Sequence, residues 1–567
     1  MSSPMLQLLL GLLCCAALAG CSRSGEPDSG KARPAAIVLP APLGQGDNAQ
    51  GIAWHHASTD GEVDAAFTRA ARDQKPLLLY WGAEWCPPCN QLKATLFNRQ
   101  DFIERTRAFE AVYIDGDRPG AQKLGARFKV RGYPTIVVLS PTGHELTRLP
   151  GEVDAQQITQ VLTLGMSAQR PLKDVLAEAL AGGKTLTPND WKLLAFYSWD
   201  TDEQEQLLPH AQVPDALRDL AAACPPDQVE TATRLFLKAW VAGGDRAVRA
   251  DAAARERFLG VLRQAEASRV HMDLLANHTE ALVRAFGAPG KRDRTGLIEA
   301  YDASLAGLAN DTTLSRADRV NASIGRVQLA RLDAPKAAGK SPPTLMPPGL
   351  LTDIREQVVR MDRETTDGYE RMAVIPTAAY LLREAGAAAE SDALLRANLA
   401  SSHSPYYLMS GLAQNARKRG DNVEALRWYE AAYQRSQGPA TRMQWGAAYV
   451  SALVELTPQD EPRIEAATVQ MLDEAAAQPN AFYERSARSL RRLGDKLHAW
   501  QKEQGHADAM QRLQAQLDVL CANVPEADGQ RATCLSLLSP AVNSALNPPL
   551  NPPMKPPAPN TSIKPAS

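Results

Sequence analysis

Two cysteines separated by two prolines, Cys86 and Cys89, have the types and spacing of a chemical site. The apolar run 77–81 before them predicts a buried strand, and the apolar spacing of 90–97 after them predicts a helix. A thiol at a helix start meets unpaired backbone N–H groups and the positive end of the helix dipole, which favour its thiolate. A thiolate attacks a disulfide, and a second thiol one turn further on resolves the mixed disulfide. The sequence therefore predicts Cys86 as the nucleophile, more exposed and with the lower pKa, and Cys89 as the resolving thiol.

Zinc binding is the alternative use of a C-x-x-C pair. A structural zinc site needs two further ligands, usually a second close pair of Cys or His residues. The chain has no second C-x-x-C pair, and the adjacent side chains of His55 and His56 point in different directions. We therefore expect redox chemistry, with no metal and no cofactor.

Several short segments that surround the cysteine pair follow one another in a characteristic order. They are Lys75-Pro76, Ala83-Glu84-Trp85-Cys86, Thr95-Leu96-Phe97, Val112-Tyr113-Ile114-Asp115, Phe128-Lys129-Val130-Arg131-Gly132-Tyr133-Pro134-Thr135 and Pro141-Thr142-Gly143. With them, residues 51–167 resemble a thioredoxin-fold domain, most closely the thioredoxin-like group that includes the C-terminal domain of the membrane thiol reductase DsbD. The resemblance implies that Pro134 is a cis proline facing the cysteines, and that Trp85, Tyr133 and Pro134 dock a substrate strand. An ordinary turn proline is the alternative for Pro134.

The resemblance has one departure that affects proton transfer. Thioredoxins carry a buried acid six residues before the nucleophile, and here that position is Tyr80. The partnering lysine of the family corresponds to Ala111 or a neighbour, so the acid–lysine pair is missing. Deprotonation of Cys89 must then use water or another group, and the candidates are Glu84, Lys93 and Tyr80.

The N-terminus predicts a membrane anchor. Residues 5–19 are apolar but too short for a comfortable transmembrane helix. The sequence up to Cys21 resembles a bacterial lipoprotein cleavage box, which implies that residues 1–20 are a signal peptide and that Cys21 carries lipid. The absence of Lys and Arg before the apolar segment departs from type, so an ordinary signal peptide or an uncleaved anchor is the alternative. Ser22 favours the outer membrane within that family.

Eight cysteines are present, and three beyond the redox pair lie far along the chain. Cys521 and Cys534 enclose a short loop, and in an oxidising compartment we expect them to form a structural disulfide that stabilises by roughly 3 kcal/mol. Cys224 is left over, as either a small buried apolar residue or a regulatory thiol. The net charge of -2 provides no electrostatic reason to expect nucleic acid as a partner.

Composition and periodicity divide the chain into regions. Residues 21–50 are rich in Gly, Pro, Ser and Ala, which predicts a flexible tether. Strand signals stop after 167, and helical periods predict a helical region over 168–345 and a tetratricopeptide (TPR)-like helical region over 346–540. The TPR likeness is strongest around residues 420–432, and an irregular helical bundle is the alternative. Residues 541–567 are a Pro/Asn-rich tail with a composition typical of disorder.

The expected fold is therefore an α/β thioredoxin-like domain followed by a large all-α region. The expected function is a lipid-anchored periplasmic thiol–disulfide oxidoreductase, with reduction of protein disulfides favoured by the resemblance. Its expected partners are proteins with disulfides or thiols, an upstream membrane thiol reductase, and the membrane. The alternative is a protein-interaction lipoprotein whose helical repeat binds partners and whose thioredoxin-like domain is ancillary.

Overall fold

The structure is a computed structural model. It describes residues 51–150, 155–168, 170–199, 207–244, 249–287, 292–332, 346–526 and 529–538. The predicted signal peptide, lipidated Cys21, tether and C-terminal tail lie outside these residues. Within them, no helix has both the length and the apolar character needed to cross a bilayer.

The first part of the chain alternates strands and helices. Its elements are β1 (His55–His56), α1 (Asp60–Asp73), β2 (Leu77–Gly82), α2 (Pro87–Thr95), α3 (Gln100–Thr106), β3 (Glu110–Asp115), α4 (Ala121–Arg127), β4 (Thr135–Leu139), β5 (Glu145–Pro150) and α5 (Ala155–Ser167). The five strands form one sheet in the order β1-β3-β2-β4-β5, in which β3 runs parallel to β1 and β2. Strand β4 is antiparallel to both β2 and β5.

Strand β2 lies at the centre of the sheet and ends just before the cysteine pair. All six of its residues are buried, as expected for a continuous apolar run covered on both faces. Helix α1 covers one face with Val63, Ala66 and Ala70, and a capping box between Thr59 and Glu62 fixes its start. The central strand therefore holds the start of α2 at a fixed position on a rigid sheet.

Beyond α5 the described chain is helical. The helices are α6 (Leu172–Leu180), α7 (Pro188–Phe196), α8 (Val213–Ala223), α9 (Val229–Gly243), α10 (Ala252–Arg263), α11 (Ala265–Val270), α12 (Met272–Asn277), α13 (Thr279–Phe286), α14 (Arg292–Asn310), α15 (Arg316–Arg331), α16 (Pro348–Glu364), α17 (Gly368–Glu384), α18 (Ala388–Asn398), α19 (Pro405–Arg419), α20 (Asn422–Arg435), α21 (Pro439–Leu456), α22 (Glu461–Ala476), α23 (Glu484–Gln504), α24 (Ala507–Ala522) and α25 (Gln530–Leu535). Neighbours such as α8 and α9 or α19 and α20 pack against each other. The predicted fold class, a thioredoxin-like α/β domain followed by a large helical region, is confirmed, while the TPR type stays a prediction.

The cysteines outside the redox pair lie within the helical region. Cys521 and Cys534 are joined by a disulfide that links α24 to α25. Cys224 is a free, buried cysteine at the end of α8, and burial raises its pKa to about 11. Its thiolate is therefore scarce at neutral pH, which fits a small apolar residue better than a regulatory thiol.

The α/β part and the helical region share a continuous apolar core. One cluster of buried residues contains Trp85, Cys86 and Cys89 together with side chains of the C-terminal helices, among them Met409 and Trp445. Helix α2 also packs against α17, and α4 against α23. The end of the sheet that carries the cysteine pair is thus inside the molecule.

Candidate active site

The two cysteines lie at the first turn of α2. Cys86 is the N-cap residue, and its sulfur accepts a hydrogen bond from the backbone N–H of Cys89 at 3.2 Å. A disulfide joins the two residues. The prolines between them occupy the first two helical positions, where a missing N–H costs little. A thiolate formed at Cys86 would thus lie at the positive end of the helix dipole, as the sequence predicted.

The cysteine pair is buried as a whole. Cys86 is 2% exposed and Cys89 is 0% exposed, so Cys86 is the more exposed of the two by a small margin and neither residue lies on the surface. The reason is tertiary: helices from the far end of the chain cover the start of α2. A local pattern of strand, cysteine pair and helix contains no information about that cover.

Asn90 fixes the loop that leads into α2. Its side chain is fully buried, and its Nδ2 donates to the carbonyl oxygens of Glu84 at 2.6 Å and of Cys86 at 3.0 Å. Two hydrogen bonds to the backbone hold the turn without using either sulfur. The positions of the cysteines are therefore set by the loop itself as well as by the disulfide.

The predicted docking residues lie side by side next to the cysteine pair. The rings of Trp85 and Tyr133 are 6.4 Å apart between centroids, and the Tyr133–Pro134 peptide bond is cis. Tyr133 Oη accepts a hydrogen bond from Gln122 Nε2 at 2.9 Å. Trp85 Nε1 donates to Asp117 Oδ2 at 3.0 Å. Both aromatic side chains are thus held in place by polar partners within the α/β part.

Tyr80 occupies the position of the missing acid and is a poor base. Burial, with a smaller contribution from the Asp115 carboxylate, raises its pKa far above the ordinary value for tyrosine. Its ring stacks on Tyr113 at 5.2 Å and meets Phe97 edge-on at 4.8 Å. Its hydroxyl lies over Gly82, where a Cβ would come within 2.6 Å of Oη, and has no hydrogen-bond partner among the described residues.

Lys93 on α2 and Asp115 at the end of β3 are two ionisable groups whose pKa values move toward neutrality. Burial lowers the pKa of Lys93, and the negative charges of Glu84 and Asp115 partly offset that effect. Burial raises the pKa of Asp115 to about 6, despite a hydrogen bond from the Asp117 backbone. Asp115 was not among the predicted base candidates, although its place at the carboxyl end of β3, paired with Gly82 of β2, could have indicated it.

We expect Asp115→Asn to stabilise the protein at neutral pH. The pKa of Asp115 is raised above 3.8, so the folded state holds its proton more tightly than the unfolded chain does. The stabilisation that comes from binding this proton is fully present below pH 3.8 and is lost as the pH rises through about 6. Asparagine keeps the acceptor for the Asp117 N–H but carries no charge. The free energy of unfolding at pH 7 should rise by about 1–2 kcal/mol, after allowing for partial exposure.

Urea denaturation of both proteins at pH 4.5 and pH 7 measures this effect. The difference between the two proteins should be largest at pH 7 and should shrink at pH 4.5. Asp518→Asn, on the exposed face of α24, is the matched control for replacing a carboxylate by an amide. An equal or smaller stability of Asp115→Asn at pH 7 would contradict the assigned shift.

Three residues of the helical region contact the predicted docking residues or their support. The ring of Tyr407 stacks on Trp85 at 6.1 Å, and the Arg485 guanidinium lies 4.4 Å from the Trp85 ring centroid. Thr441 donates to Asp117 from its backbone N–H at 2.7 Å and from Oγ1 at 2.6 Å. Sequence reasoning missed all three, because each lies more than 300 residues from its partner.

The arrangement at the start of α2 suits reversible thiol–disulfide exchange, with one sulfur at a helix N-terminus and a second within bonding distance. Among the residues that the structure describes, no group of three or more His, Cys, Asp or Glu side chains could hold a metal ion.

Comparison with known proteins agrees with this geometry. Residues 63–165 match the family model described as a thioredoxin-like domain. The chain is 28% identical over 120 residues to thiol:disulfide interchange protein DsbD 1 of Pseudomonas aeruginosa, a match covering 20% of each protein. It is 32% identical over 96 residues to probable nucleoredoxin 1 of Arabidopsis thaliana, covering 13% of this chain and 17% of that protein. It is 33% identical over 69 residues to thioredoxin-1 of Drosophila melanogaster, covering 12% of this chain and 61% of that protein.

These matches define a thioredoxin-like domain with DsbD-like homologues within a longer chain. The chain spans only about a fifth of the length of the DsbD and nucleoredoxin relatives, since 20% and 17% of their residues are matched. The matched stretches are no longer than about one such domain.

Proposed function

We propose that the protein is a thiol–disulfide oxidoreductase that reduces protein disulfides through Cys86 and Cys89. The observation that supports this most directly is the cysteine pair at the N-terminus of α2, beside Trp85 and the cis Tyr133–Pro134 peptide. The names of the relatives, a thiol:disulfide interchange protein, a nucleoredoxin and a thioredoxin, add support at the level of reaction class.

The proposed reaction proceeds in two exchanges. The Cys86 thiolate attacks one sulfur of a substrate disulfide, forming a mixed disulfide and releasing the other substrate sulfur as a thiolate. The Cys89 thiolate then attacks Cys86, forming the Cys86–Cys89 disulfide and releasing the second substrate thiol. The substrate gains two electrons and two protons, and the protein loses them. An upstream dithiol donor must reduce the disulfide again, and a membrane thiol reductase is the proposed class of donor.

The direction of exchange depends on the reduction potential of the Cys86–Cys89 couple. Equilibration of the mature chain with glutathione buffers would measure it, with the redox state read from alkylation of the free thiols. A potential near that of thioredoxin, roughly -270 mV, supports a reductase, whereas one near roughly -120 mV indicates an oxidant.

Insulin reduction tests the proposed activity. The mature chain with a dithiol donor should reduce insulin disulfides, and a chain with both Cys86→Ser and Cys89→Ser should not. The double variant keeps the helical region, so it also separates the enzyme from a protein that only binds partners. Equal rates for the two chains would reject the oxidoreductase and leave the interaction protein as the better explanation.

Anchoring at Cys21 is proposed from the cleavage-box resemblance. Changing Cys21 to Ala removes the thiol that would carry the lipid, so we expect the protein to leave the membrane fraction or to remain unprocessed. Fractionation of cells with a high-salt wash measures the outcome, and Cys224→Ala, which removes a buried thiol elsewhere, is the control. A Cys21→Ala protein that is processed and still pellets with membranes would show that another element provides the anchor. The periplasm is the proposed compartment.

A further inference from the structure

We propose that the helical region is an intramolecular cap that covers the docking face of the thioredoxin-like domain and restricts the access of large disulfide substrates to Cys86. The cap consists of α15, α17, α19, α21 and α23, with the loops before them. This inference rests on the proposed function, because it assigns a regulator to the same cysteine pair.

The first attachment of the cap is the Asp117 carboxylate. Helix α21 begins after Gly438, which has no side chain to cap the helix. Asp117, from the α/β part, takes that role: its two oxygens accept the N–H and the hydroxyl of Thr441 in the first turn of α21. Burial raises the pKa of Asp117, and the hydrogen bonds from Thr441 and Trp85 oppose that shift.

The close approach of these two parts requires a glycine at the start of α21. Gly438 has φ 87, in the left-handed region, and a Cβ there would lie 2.6 Å from Asp117 Cβ. The same carboxylate accepts the indole N–H of Trp85. Asp117 thus connects the residue before the nucleophile directly to the cap.

The second attachment is Arg485, near the start of α23. Its guanidinium lies 4.4 Å from the ring centroid of Trp85 and 5.2 Å from that of Tyr133. Its backbone N–H donates to Gln122 Oε1 at 2.9 Å, and its Nε donates to Gln444 Oε1 at 3.0 Å. A cation therefore occupies the aromatic surface on which a substrate strand would lie.

Further contacts surround the cysteine pair on the side of α2. His403 Nε2 lies 3.1 Å from the carbonyl oxygen of Glu84. Gln91 Nε2 donates to Ser315 Oγ and to Asp318 Oδ2, each at 2.9 Å, at the start of α15. These polar contacts add to the apolar cluster that Trp85, Cys86 and Cys89 share with the C-terminal helices, so opening the cap must separate polar and apolar contacts together.

The consequence for reactivity follows from the burial of the nucleophile. Cys86 is 2% exposed, so a disulfide in a folded or extended protein cannot reach its sulfur while the cap is closed. Exchange then requires an open state. The observed rate of exchange is the rate of the open state multiplied by the fraction of molecules that are open. Contacts at Thr441 and Arg485 lower that fraction, since they exist only in the closed state.

The test measures access to Cys86 without requiring turnover. Full-length chains carrying Cys89→Ser are reduced and labelled with N-ethylmaleimide or with a maleimide on a long polyethylene glycol chain. The uncapped chain adds Thr441→Val and Arg485→Gln, and the control chain adds Arg355→Ala, which removes an exposed ion pair with Glu390. Labelling of the Cys86 peptide is followed by mass spectrometry, and folding is checked by circular dichroism.

We expect the bulky maleimide to label Cys86 roughly 10-fold faster in the uncapped chain than in the parent or control chains, because the Thr441 hydroxyl hydrogen bond and the two cation–π contacts of Arg485 are lost. The small maleimide should show a smaller gain. Equal labelling of the uncapped and parent chains would overturn the cap. If the double substitution prevents folding, the chain with Thr441→Val alone is labelled instead. Valine preserves the shape of threonine and removes only the hydroxyl. We expect the bulky maleimide to label Cys86 roughly 3-fold faster in that chain than in the parent.

The same substitutions, placed in a chain that retains Cys89, distinguish the cap from the proposed disulfide reduction when insulin reduction is measured. Faster insulin reduction by the uncapped chain supports both the cap and the proposed function. Faster labelling with no insulin reduction by either chain would retain the cap and reject the proposed function. Equal labelling with equal insulin reduction would retain the function and reject the cap. Slower insulin reduction by the uncapped chain would show that the helical region binds the substrate, which also overturns the cap.

Discussion

Cys86→Ser is expected to abolish disulfide exchange, while Cys89→Ser should accumulate stable mixed disulfides on Cys86. The first substitution removes the sulfur at the N-cap of α2, which is the one placed to become a thiolate. The second leaves that sulfur intact but removes the thiol that releases the product. Loss of turnover in either variant should be on the order of 10³-fold or more, as for the removal of other catalytic nucleophiles.

Insulin turnover and non-reducing gels of protein incubated with a disulfide substrate measure the two outcomes. Cys224→Ala is the matched control, because it removes a buried thiol whose pKa is raised to about 11 and which the mechanism does not use. Equal trapping by Cys86→Ser and Cys89→Ser would overturn the order of the two thiols. The cap adds a further expectation: trapping by Cys89→Ser should increase when Thr441→Val is combined with it.

The α/β part was predictable because its signals are local. The apolar run of β2 and the N-cap position of Cys86 are separated by only a few residues, and each has its own physical cause. Helix starts are equally local: Thr187 caps α7, and Pro188 occupies its first helical position, a pattern that lies within four residues of sequence. These features depend on neighbours within one turn or one strand, so tertiary packing does not change them.

The cover over the site was not predictable for the opposite reason. Arg485 and Thr441 contact residues more than 300 positions earlier, and neither belongs to a motif. One indirect signal existed in the sequence. The helix that begins at Pro439 follows a glycine and has no side-chain cap of its own, which leaves its first N–H groups to water or to a partner from elsewhere. Asp117 is that partner, but only the fold shows it.

The type of the helical region was only partly predictable from the sequence. The segment around α20 has the small residues of a TPR helix pair, and Asp421 caps α20. Consecutive helices pack together, which any helical stack requires. Packing of neighbours alone does not distinguish a TPR array from an irregular bundle, because both bury apolar faces between adjacent helices.

Tyr80→Asp is expected to accelerate resolution by Cys89 at neutral pH. In the natural chain the tyrosine hydroxyl is buried and its pKa is raised, so it cannot accept the Cys89 proton. Resolution should then follow the thiolate fraction of Cys89 and rise steeply between pH 6 and pH 9. A carboxylate at this position would act as a general base, and the gain at pH 7 should be roughly 10- to 100-fold.

Rapid mixing of the reduced chain with a small disulfide separates the two steps, because only attack by Cys86 depends on the disulfide concentration. Tyr80→Asn is the matched control: it leaves the same space beside Tyr113 and Phe97 but carries no titratable carboxylate. Both variants lose aromatic packing and should be less stable than the natural chain. Faster resolution therefore supports the prediction only if Tyr80→Asp shows it and Tyr80→Asn does not. A natural chain that already resolves quickly at every pH would show that another group supplies the base. Asp115, whose pKa of about 6 makes it ionised at pH 7, would then be tested first, followed by Glu84 and Lys93.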